Sequence, residues 1–460
     1  MHRISLKSEK FVEILNLFDH YLWSRFLIIL LIGVGVLLTI RLKGLQFRYL
    51  PYALKIAFTR QDSQAEGDIS QFQALMTALA ATIGIGSIAG VATAIVGGGF
   101  GAIFWMWVIA LVGMATKYAE AILAIKYRMR DHRGEMCGGP MHYIRHGMKW
   151  KWLAGVFALF GILSSFAGGN ITQSHSIADA LFDLVHLSPI WTGIIIMVTT
   201  GAVLLGGINS IGRVCAILVP VMAGMYIIGG ITILVLHGDQ IPESLAFIVK
   251  SAFNGQAASR GFVGASIIAA LQFGVARGIS SNEAGLGSGP IAAAAAKTDV
   301  PGRQALISMT TVFLSTLVVC TITALVISVT GVLGDVDSHG TLLNGAPLVM
   351  QAFRLTIPYG DVVVAIGLIL FGYSTIVGWA YYGEKCAEYL FGERVIYPFR
   401  ILFCLIAFLG TLLSIDVVWP LVDIMNGLMT LPNLIALFVL SGLVVKESQT
   451  FVKLLRHEGH

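Results

Sequence analysis

Long apolar runs separated by short polar connections dominate the pattern of this 460-residue chain. A helix that crosses the hydrocarbon core of a bilayer needs roughly 20 predominantly apolar residues. Eleven stretches meet that requirement, at about residues 21–42, 70–95, 99–126, 152–180, 190–207, 211–236, 262–287, 304–332, 361–390, 397–415 and 418–446. The pattern therefore predicts an all-α, polytopic membrane protein of about eleven transmembrane helices.

Composition agrees with this prediction. Hydrophobic residues make up 56% of the chain and charged residues 12%, and the mean hydropathy is +0.82, whereas about a quarter of the residues in a soluble domain are charged. The net charge of +5 is explained by basic loops, which set topology and contact anionic lipid beside the cytoplasmic leaflet. The expected surroundings are therefore a lipid bilayer, and nucleic acid is excluded as a partner.

Two of the apolar stretches are interrupted by glycines. Residues 80–94 read AATIGIGSIAGVATA, and residues 273–288 read FGVARGISSNEAGLGS. In lipid an interrupted helix leaves amides and carbonyls without partners, which is tolerated only where these groups face a cavity or a bound solute. Small residues four apart also bring helices together, so close packing is the alternative. The paired interruptions favour a transport site between residues 84–90 and 274–278.

The layout of the spans predicts an inverted repeat. The interrupted stretches are the second and seventh spans, so the ten spans after the first divide into two groups of five. An odd number of spans inverts the second group relative to the first. We expect an N-terminal segment with the first helix and a basic cytoplasmic loop at 1–69, a transporter core at 70–446 with repeats at about 70–236 and 262–446, and a cytoplasmic tail at 447–460.

The basic residues predict the orientation. Lys and Arg concentrate in the connections around 41–60 and 126–151 and are absent from the second, fourth and tenth connections. The positive-inside rule makes the basic side cytoplasmic, so the N-terminus is expected outside and the C-terminus inside a bacterial-type cytoplasmic membrane. The first apolar stretch has no small-residue cleavage site and is interpreted as a retained helix rather than a signal peptide.

Ionisable residues inside the spans are few and need partners. Lys117 and Glu120 are three residues apart on one helical face, which predicts a local ion pair. Arg277 follows the second predicted interruption, where it is expected to pair with Glu283, to hold the bent shape of this helix or to gate the cytoplasmic pathway. A structural or gating role is favoured for Arg277 and Glu283 over contact with the substrate.

Uncharged polar side chains form a second group inside the spans. They flank the first interruption or lie in the fourth and ninth spans, at Thr82, Ser87, Asn170, Gln173, Ser374 and Thr375. Each alone fits a role in helix packing. Together they supply neutral oxygens, which suit a monovalent hard cation and a small zwitterion.

Motifs for other chemistry are weak. The G-x-G-x-x-A match at 84–89 lies inside a span, without the preceding strand of a dinucleotide site. No H-E-x-x-H occurs, and the glycine-rich stretch 285–289 lacks the setting of a nucleophile elbow. Five Cys without CxxC spacing predict neither a disulfide framework nor a zinc site. We therefore expect neither an enzyme nor an organic cofactor.

Four stretches together resemble a known family. They are ALAATIGIGSIAGVATAI at 78–95, GGPMHYI at 138–144, GVARGISSNEAGLGS at 274–288 and STIVGWAYYGEK at 374–385. Over roughly residues 65–445 the chain resembles the alanine-or-glycine:cation symporters, also called sodium:alanine symporters. The resemblance implies a leucine-transporter-type fold with one extra N-terminal helix, which imports alanine or glycine together with sodium.

The resemblance also implies site residues. The substrate would be held by the first interruption, by carbonyls of the seventh span and by side chains of the fourth and ninth spans, at Thr82, Gly84, Ile85, Gly86, Ser87, Gln173, Phe273, Gly274, Val275 and Trp379. Trp379 shares a helical face with Thr375 and would shorten the pocket to fit a small substrate. Sodium would lie in a cage of carbonyls and hydroxyls from Ala80, Ile83, Phe371, Ser374 and Thr375.

The chain departs from the family pattern at two places. It reads GIGSI at 84–88 where the family commonly reads GTGNI, and His175 stands where asparagine is expected. Both changes bear on the choice of substrate and on any second cation site. Neither change affects Ser374 and Thr375.

These observations predict a monomeric, sodium-coupled secondary active symporter that works by alternating access. A proton-coupled amino-acid carrier of the same fold is the nearest alternative, and it is disfavoured because no lysine or acid is placed beside Ser374. An ion channel is the alternative from another class, and it is disfavoured because the sequence shows no selectivity filter.

Overall fold

In the computed structural model of the protein, the described residues are 26–59, 65–256, 264–337, 340–413 and 415–458, with the backbone alone for 415–420. Within these ranges, a short antiparallel hairpin is formed by β1 (Met129–Arg130) and β2 (Met136–Cys137). The helices are α1 (Phe26–Arg41), α2 (Leu45–Arg48), α3 (Leu50–Phe58), α4 (Gln71–Thr82), α5 (Ala89–Gly98), α6 (Gly101–Lys126), α7 (Pro140–Tyr143), α8 (Lys151–Val185), α9 (Pro189–Leu205), α10 (Gly207–Leu236), α11 (Ile241–Asn254), α12 (Ile267–Asn282), α13 (Gly289–Ala294), α14 (Pro301–Thr330), α15 (Ala346–Arg354), α16 (Gly360–Phe391), α17 (Ile396–Gly410) and α18 (Ile415–His457).

A helix, or a pair of helices, lies at each of the predicted apolar stretches, which confirms the all-α prediction for the described residues. Within these residues, six helices are long and apolar enough to cross a membrane: α6, α8, α10, α14, α16 and the Leu421–His457 part of α18. The helices α1, α5 and α9 are apolar but shorter. The count of eleven crossings, the inverted repeat and the domain bounds stay predictions.

The centre of the molecule is built around α6, which packs against α1, α12 and α14. Residues 113–125 of α6 are all buried, as expected of a helix enclosed on every side by other helices. In contrast, α9, α10 and α17 expose large apolar side chains such as Ile195, Ile217 and Leu405. These outer helices therefore present an apolar surface that suits contact with lipid.

The second span is interrupted where the sequence predicts. Helix α4 ends at Thr82, a single 3₁₀ turn covers Ile85–Ser87, and α5 begins at Ala89. Glycine is needed at position 84, because a Cβ atom there would lie 2.6 Å from Thr375 Oγ1. The interruption therefore brings the backbone of this span against α16.

The seventh span is also interrupted within the predicted stretch 273–288, but the interruption comes after residues 274–278. Helix α12 ends at Asn282, and Glu283, Gly285 and Gly287 then adopt positive φ angles of 55°, 92° and 84°. A right-handed helix cannot continue through such residues, and α13 begins only at Gly289.

The predicted interruption at 274–278 was wrong, because the glycines there serve close packing. A Cβ atom at Gly274 would lie 2.4 Å from the carbonyl oxygen of Ala102, and one at Gly278 would lie 2.5 Å from Ile109 Cγ2. Both contacts are with α6. The missing side chains let α12 approach α6 closely while its own helical hydrogen bonds stay intact.

Lys117 of α6 binds the free carbonyls at the end of α12. Its Nζ atom lies 3.4 Å from the carbonyl oxygen of Asn282 and 3.3 Å from that of Glu283. The last carbonyls of a helix carry the negative end of its dipole. The buried ammonium therefore stabilises the point at which this helix stops.

Glu120, one turn further along α6, binds the other polar groups of the second interruption. Its Oε1 atom accepts hydrogen bonds from the Gly285 amide at 3.0 Å and from Nδ2 of Asn433 at 2.7 Å. Asn433 belongs to α18, and its Oδ1 accepts a hydrogen bond from the hydroxyl of Tyr143. The prediction of a local pair between Lys117 and Glu120 was therefore wrong, since the two side chains bind opposite polar groups of the broken helix.

Arg277 does not pair with Glu283, which corrects another prediction. Its Nη2 atom contacts Oδ2 of Asp423 at 3.0 Å, and both side chains are largely buried. Asp423 belongs to α18. The contact therefore joins α12 to α18 and does not hold the bend of the seventh span.

We predict that Lys117→Met lowers the free energy of unfolding by about 1–3 kcal/mol, because two buried carbonyls lose their partner. The measurement is the Tm of the detergent-purified protein. Lys126→Met is the matched control on the same helix, because Lys126 contacts Glu447 in a partly exposed pair and such pairs contribute only about 0–1 kcal/mol. Equal falls in Tm for the two variants would contradict this account of the second interruption.

Candidate functional site

A cavity of about 50 Å³ lies between the two interruptions. Its walls combine glycine backbone, hydroxyls, amides, an indole and one carboxylate. They are contributed by Ala81, Thr82, Gly84, Gly86, Gly168, Thr172, Gln173, Ser280, Glu283, Leu286, Thr375, Trp379, Val422 and Asn426. A polar cavity next to broken helices is the usual place of a transport site in a membrane protein.

Two hydroxyls of α16 and two carbonyls converge beside this cavity. Thr375 Oγ1 donates to the carbonyl oxygen of Phe371 at 2.9 Å and lies 3.0 Å from that of Ala80, while Ser374 Oγ lies 2.9 Å and 3.3 Å from the same two oxygens. Ala80 is near the end of α4, and all four residues are buried. Neutral oxygens of this kind bind hard cations, so the arrangement is suited to sodium.

The structure brings together four of the five residues predicted for the sodium cage. Ile83, the fifth, directly follows the end of α4, and its amide bonds the carbonyl of Leu79. Thr375 also lines the cavity, opposite Gly84. The predicted ion cage and the cavity are therefore adjacent and share one hydroxyl.

Gln173 reaches the cavity from a distorted turn of α8. Residues 167–171 form a π-helical turn, a feature that is frequent at functional sites. Nε2 of Gln173 donates to the carbonyl oxygen of Gly168 at 3.0 Å, which fixes the orientation of the amide. Its Oε1 atom has no hydrogen-bond partner among the described residues and is available to a ligand.

Trp379 closes one side of the cavity. It lies one turn beyond Thr375 on α16, and it packs so tightly against α8 that a Cβ atom at Gly169 would lie 2.3 Å from Trp379 Cβ. The indole is therefore held in place and limits the size of any ligand.

Other predicted site residues lie outside the cavity lining. Phe273, Gly274 and Val275 lie inside the unbroken α12, so the structure does not bring their carbonyls to the cavity as free groups. Ile85 and Ser87 belong to the 3₁₀ turn, but the described lining does not include them. This part of the predicted site is not assembled around the cavity.

His175 also lies outside the described lining of the cavity. Its Nε2 contacts Oδ2 of Asp179 one turn further along α8, at 3.1 Å. The histidine that stands in place of asparagine therefore makes a contact within α8.

Among the polar residues that line the cavity, sequence reasoning missed Thr172, Ser280 and Asn426 and did not place Glu283 there. Glu283 was noticed as an acid within a span but was assigned to Arg277. Its Oε2 accepts a hydrogen bond from Ser288 Oγ at 2.7 Å. Asn426 is a single amide in an apolar stretch. Its polarity was the only signal in the sequence that could have indicated a role at the site.

The Arg277–Asp423 contact lies on one particular side of the cavity. Along α18, Asp423 precedes Asn426 on the cavity wall, and the helix then continues to Glu447, which contacts Lys126 near the β-hairpin. Arg277 is therefore on the side away from the hairpin. The prediction that it gates a pathway on the side of the basic loops is not supported.

A buried ionic cluster lies on the hairpin side, around Lys385 of α16. Its ammonium is 2.9 Å from Glu388 Oε2, 3.1 Å from Glu135 Oε2 and 3.7 Å from Asp131 Oδ2. Asp131, Cys137 and Glu388 lie close enough together to hold a metal ion, but Lys385 is 3.5 Å from the Cys137 sulfur. Lys385 therefore already places an internal cation among these acids.

Neighbouring contacts extend this cluster to other elements. Asp68, just before α4, accepts a hydrogen bond from the Met136 amide at 2.8 Å, and burial raises the pKa of Asp68 and of the Cys137 thiol. Arg400 of α17 binds Glu384 of α16 through Nε at 2.6 Å and Nη2 at 2.8 Å. The start of α4, the hairpin, α16 and α17 are thus joined at one end of the molecule.

A polar cavity between broken helices is typical of a secondary transporter. Solved structures of this kind share the fold. The structure of MhsT in complex with L-phenylalanine is similar with a TM-score of 0.56 and 17% identity, over 83% of this chain and 89% of that chain. A manganese transporter of Eremococcus coleocola is similar with a TM-score of 0.53 and 15% identity, over 77% of this chain and 74% of that chain.

The chain belongs to the sodium:alanine symporter family, whose model matches residues 8–460. The sodium/alanine symporter AgcS of Methanococcus maripaludis is 52% identical over 454 residues, which are 98% of this chain and 99% of that protein. The family resemblance found in the sequence is thereby confirmed. The protein is a sodium-coupled amino-acid symporter and not an enzyme.

We predict that Gly84→Ala removes the sodium-induced rise in Tm, because the new Cβ atom would lie 2.6 Å from Thr375 Oγ1 and displace a ligand of the cage. An ion that binds only the folded protein stabilises it by RT ln(1 + c/Kd), where c is the free ion concentration, so the rise in Tm over a sodium series reports binding. Gly90→Ala is the matched control, since a Cβ atom there meets nothing within 4 Å. A normal sodium response in Gly84→Ala would rule out this contact as part of the cage.

Proposed function

We propose that the protein imports alanine or glycine together with sodium by alternating access. The observation that carries this proposal is the convergence of the Ala80 and Phe371 carbonyls with the Ser374 and Thr375 hydroxyls beside the central cavity. Sodium binding there connects α4 to α16, which contribute two walls of the cavity. Binding of the ion and of the amino acid are therefore coupled through shared structure.

The size of the cavity supports a small substrate. Its volume is about 50 Å³, and Trp379 occupies the direction in which a longer side chain would extend. The backbone amides around Gly84 and Gly86 are available for the substrate carboxylate, because the interruption frees them from helical hydrogen bonds. Thr82, Gln173 and Trp379 complete the proposed site.

The membrane potential is sufficient to drive accumulation. One positive charge that moves through 100 mV supplies about 2.3 kcal/mol, which corresponds to roughly a 50-fold concentration ratio. A sodium concentration gradient adds to this ratio. Coupling to one sodium ion per amino acid is therefore enough for uptake from a dilute medium.

The proposed arrangement in the membrane follows the basic loops. The protein is a multi-pass transporter of the plasma membrane. Eleven spans, an outer N-terminus and a cytoplasmic C-terminus would place the β-hairpin and the Lys385 cluster on the cytoplasmic side. The two groups of five spans would then move relative to each other as inverted repeats, within a monomer.

A proton-coupled carrier is a second candidate, and one observation favours it. An acid, Glu283, lines the same cavity as Thr375, the neighbour of Ser374. A buried carboxylate at a transport site is a possible proton carrier. The coupling ion therefore needs a direct test.

We predict that purified protein in liposomes takes up labelled alanine or glycine only when an inward sodium gradient is imposed. Potassium in place of sodium, with the same membrane potential, is the control for the electrical driving force. Equal uptake in sodium-free buffer under an inward proton gradient would overturn sodium coupling and favour the proton-coupled carrier.

We predict that Thr375→Ala raises the sodium concentration for half-maximal uptake by roughly 10- to 100-fold, since it removes one oxygen ligand from a buried charge. Thr375→Ser should restore the hydroxyl and most of the sodium affinity. Thr330→Ala is the control, because that hydroxyl bonds carbonyls of its own helix, those of Val326 and Ile327. An unchanged sodium response in Thr375→Ala would exclude Thr375 from the cage.

A further inference from the structure

The lining of the cavity includes three side chains that carry hydrogen-bond acceptors. We call Gln173, Glu283 and Asn426 the acceptor wall, because each lines the same cavity of about 50 Å³. Among the described residues, Oε1 of Gln173 and Oδ1 of Asn426 have no hydrogen-bond partner. Unpartnered buried acceptors are costly, so a ligand that brings N–H donors is expected there.

The acceptor wall also contains a carboxyl group that shares its cation with a second buried acid. Lys117 interacts electrostatically with both Glu120 and Glu283, so one positive charge faces two buried carboxylates. Arg277 belongs to α12, the helix that ends just before Glu283, but its guanidinium contacts Asp423. An excess negative charge inside a membrane protein is unfavourable unless a ligand balances it.

Glu283 is held firmly in this position. Its backbone has a φ angle of 55°, its Oε2 accepts a hydrogen bond from Ser288 at 2.7 Å, and the residue is 3% exposed. Thr82 and Trp379, which also line the cavity, interact with its carboxylate. The carboxylate is therefore fixed at the cavity wall and cannot turn away to solvent.

We propose that the acceptor wall binds the ammonium group of the transported amino acid, and that Glu283 makes a positive charge on the substrate a requirement for binding. This inference rests on the proposed function. An ammonium supplies three N–H donors, which matches three acceptor side chains. A single proton on Glu283 would leave both amide oxygens without a partner.

Sodium is the less suitable occupant of the acceptor wall. A cage of two hydroxyls and two carbonyls already lies at α16 and α4, and it joins the cavity only through Thr375. With its ammonium at the acceptor wall, the amino acid would direct its carboxylate to the amides of the first interruption. A carboxylate without an amine, such as lactate, would meet the negative charge of Glu283 with nothing to offset it.

The test compares alanine with lactate, which has a hydroxyl in place of the ammonium. In proteoliposomes under a fixed sodium gradient, we measure the KM for L-alanine and the inhibition constant of L-lactate against alanine uptake. Glu283→Gln keeps the size of the side chain and removes its charge. We expect the KM for alanine to rise roughly 10- to 100-fold, while the inhibition constant of lactate stays unchanged or falls. The preference for alanine, which is the inhibition constant of lactate divided by the KM for alanine, should therefore fall by at least about 10-fold.

Two further variants make the result specific. Asn426→Ala should narrow the same preference by roughly 3- to 10-fold, in line with the loss of one neutral hydrogen bond, and it carries the test if Glu283→Gln gives no monodisperse protein. Glu243→Gln, on the exposed surface of α11, is the control and should leave both constants unchanged. The sodium concentration for half-maximal uptake should stay within about twofold of wild type in every variant.

Two outcomes would overturn the inference. One is an unchanged preference for alanine over lactate, whether both affinities stay the same or fall equally. The other is a shift in sodium dependence alone, which would make Glu283 an ion-binding group. Failure of the wild-type protein to take up alanine or glycine would contradict the proposed function instead. The acceptor wall would then be tested with whichever amino acid raises the Tm of the wild-type protein, by comparing the affinity for that amino acid with the affinity for its hydroxy-acid analogue.

Discussion

Buried backbone groups at the two helix interruptions are the constraint on which the rest of this structure depends. Inside a bilayer, an amide or carbonyl without a partner costs several kcal/mol. At the first interruption, hydroxyls of Ser374 and Thr375 reach the carbonyl of Ala80. At the second, Lys117 binds two carbonyls and Glu120 binds an amide. The helices α6 and α16 therefore lie at the centre because each supplies the partners that one interruption needs.

The two interruptions are completed by different chemistry, and this separates their roles. A hydroxyl can turn its hydrogen away and present an oxygen, so Ser374 and Thr375 can give up the Ala80 carbonyl and bind an ion beside it. Lys117 and Glu120 are buried charges, and removing the partner of a buried charge is costly. The first interruption is thus suited to exchange of ligands, and the second to holding a fixed frame against which exchange occurs.

The length of the apolar runs was enough to predict the helices, and the glycines within one run were enough to predict the first interruption, where Gly84 permits both the bend and the contact with α16. Glycines did not locate the second interruption, because Gly274 looks the same in a sequence whether it breaks a helix or packs against one. The spacing of Lys117 and Glu120 predicted a local pair, yet their partners lie 165 residues away or more. Asn426 was missed because a single amide in an apolar run produces no periodic signal. The roles of these residues depend on contacts with neighbouring helices that are distant in the sequence.

Ionic contacts lie on two sides of the cavity, and they differ in burial. The Arg277 and Asp423 side chains are 16% and 19% exposed, whereas those of Lys385 and Glu388 are 1% and 8% exposed. Solvent screens the first pair more strongly, and separating the second leaves more deeply buried charges without partners. In the proposed alternating-access cycle, opening on the hairpin side would therefore require more free energy than opening on the Arg277 side. Because a ligand can shift a conformational equilibrium only by its differential affinity for the two states, it is opening toward the hairpin that would most need sodium and amino acid bound together.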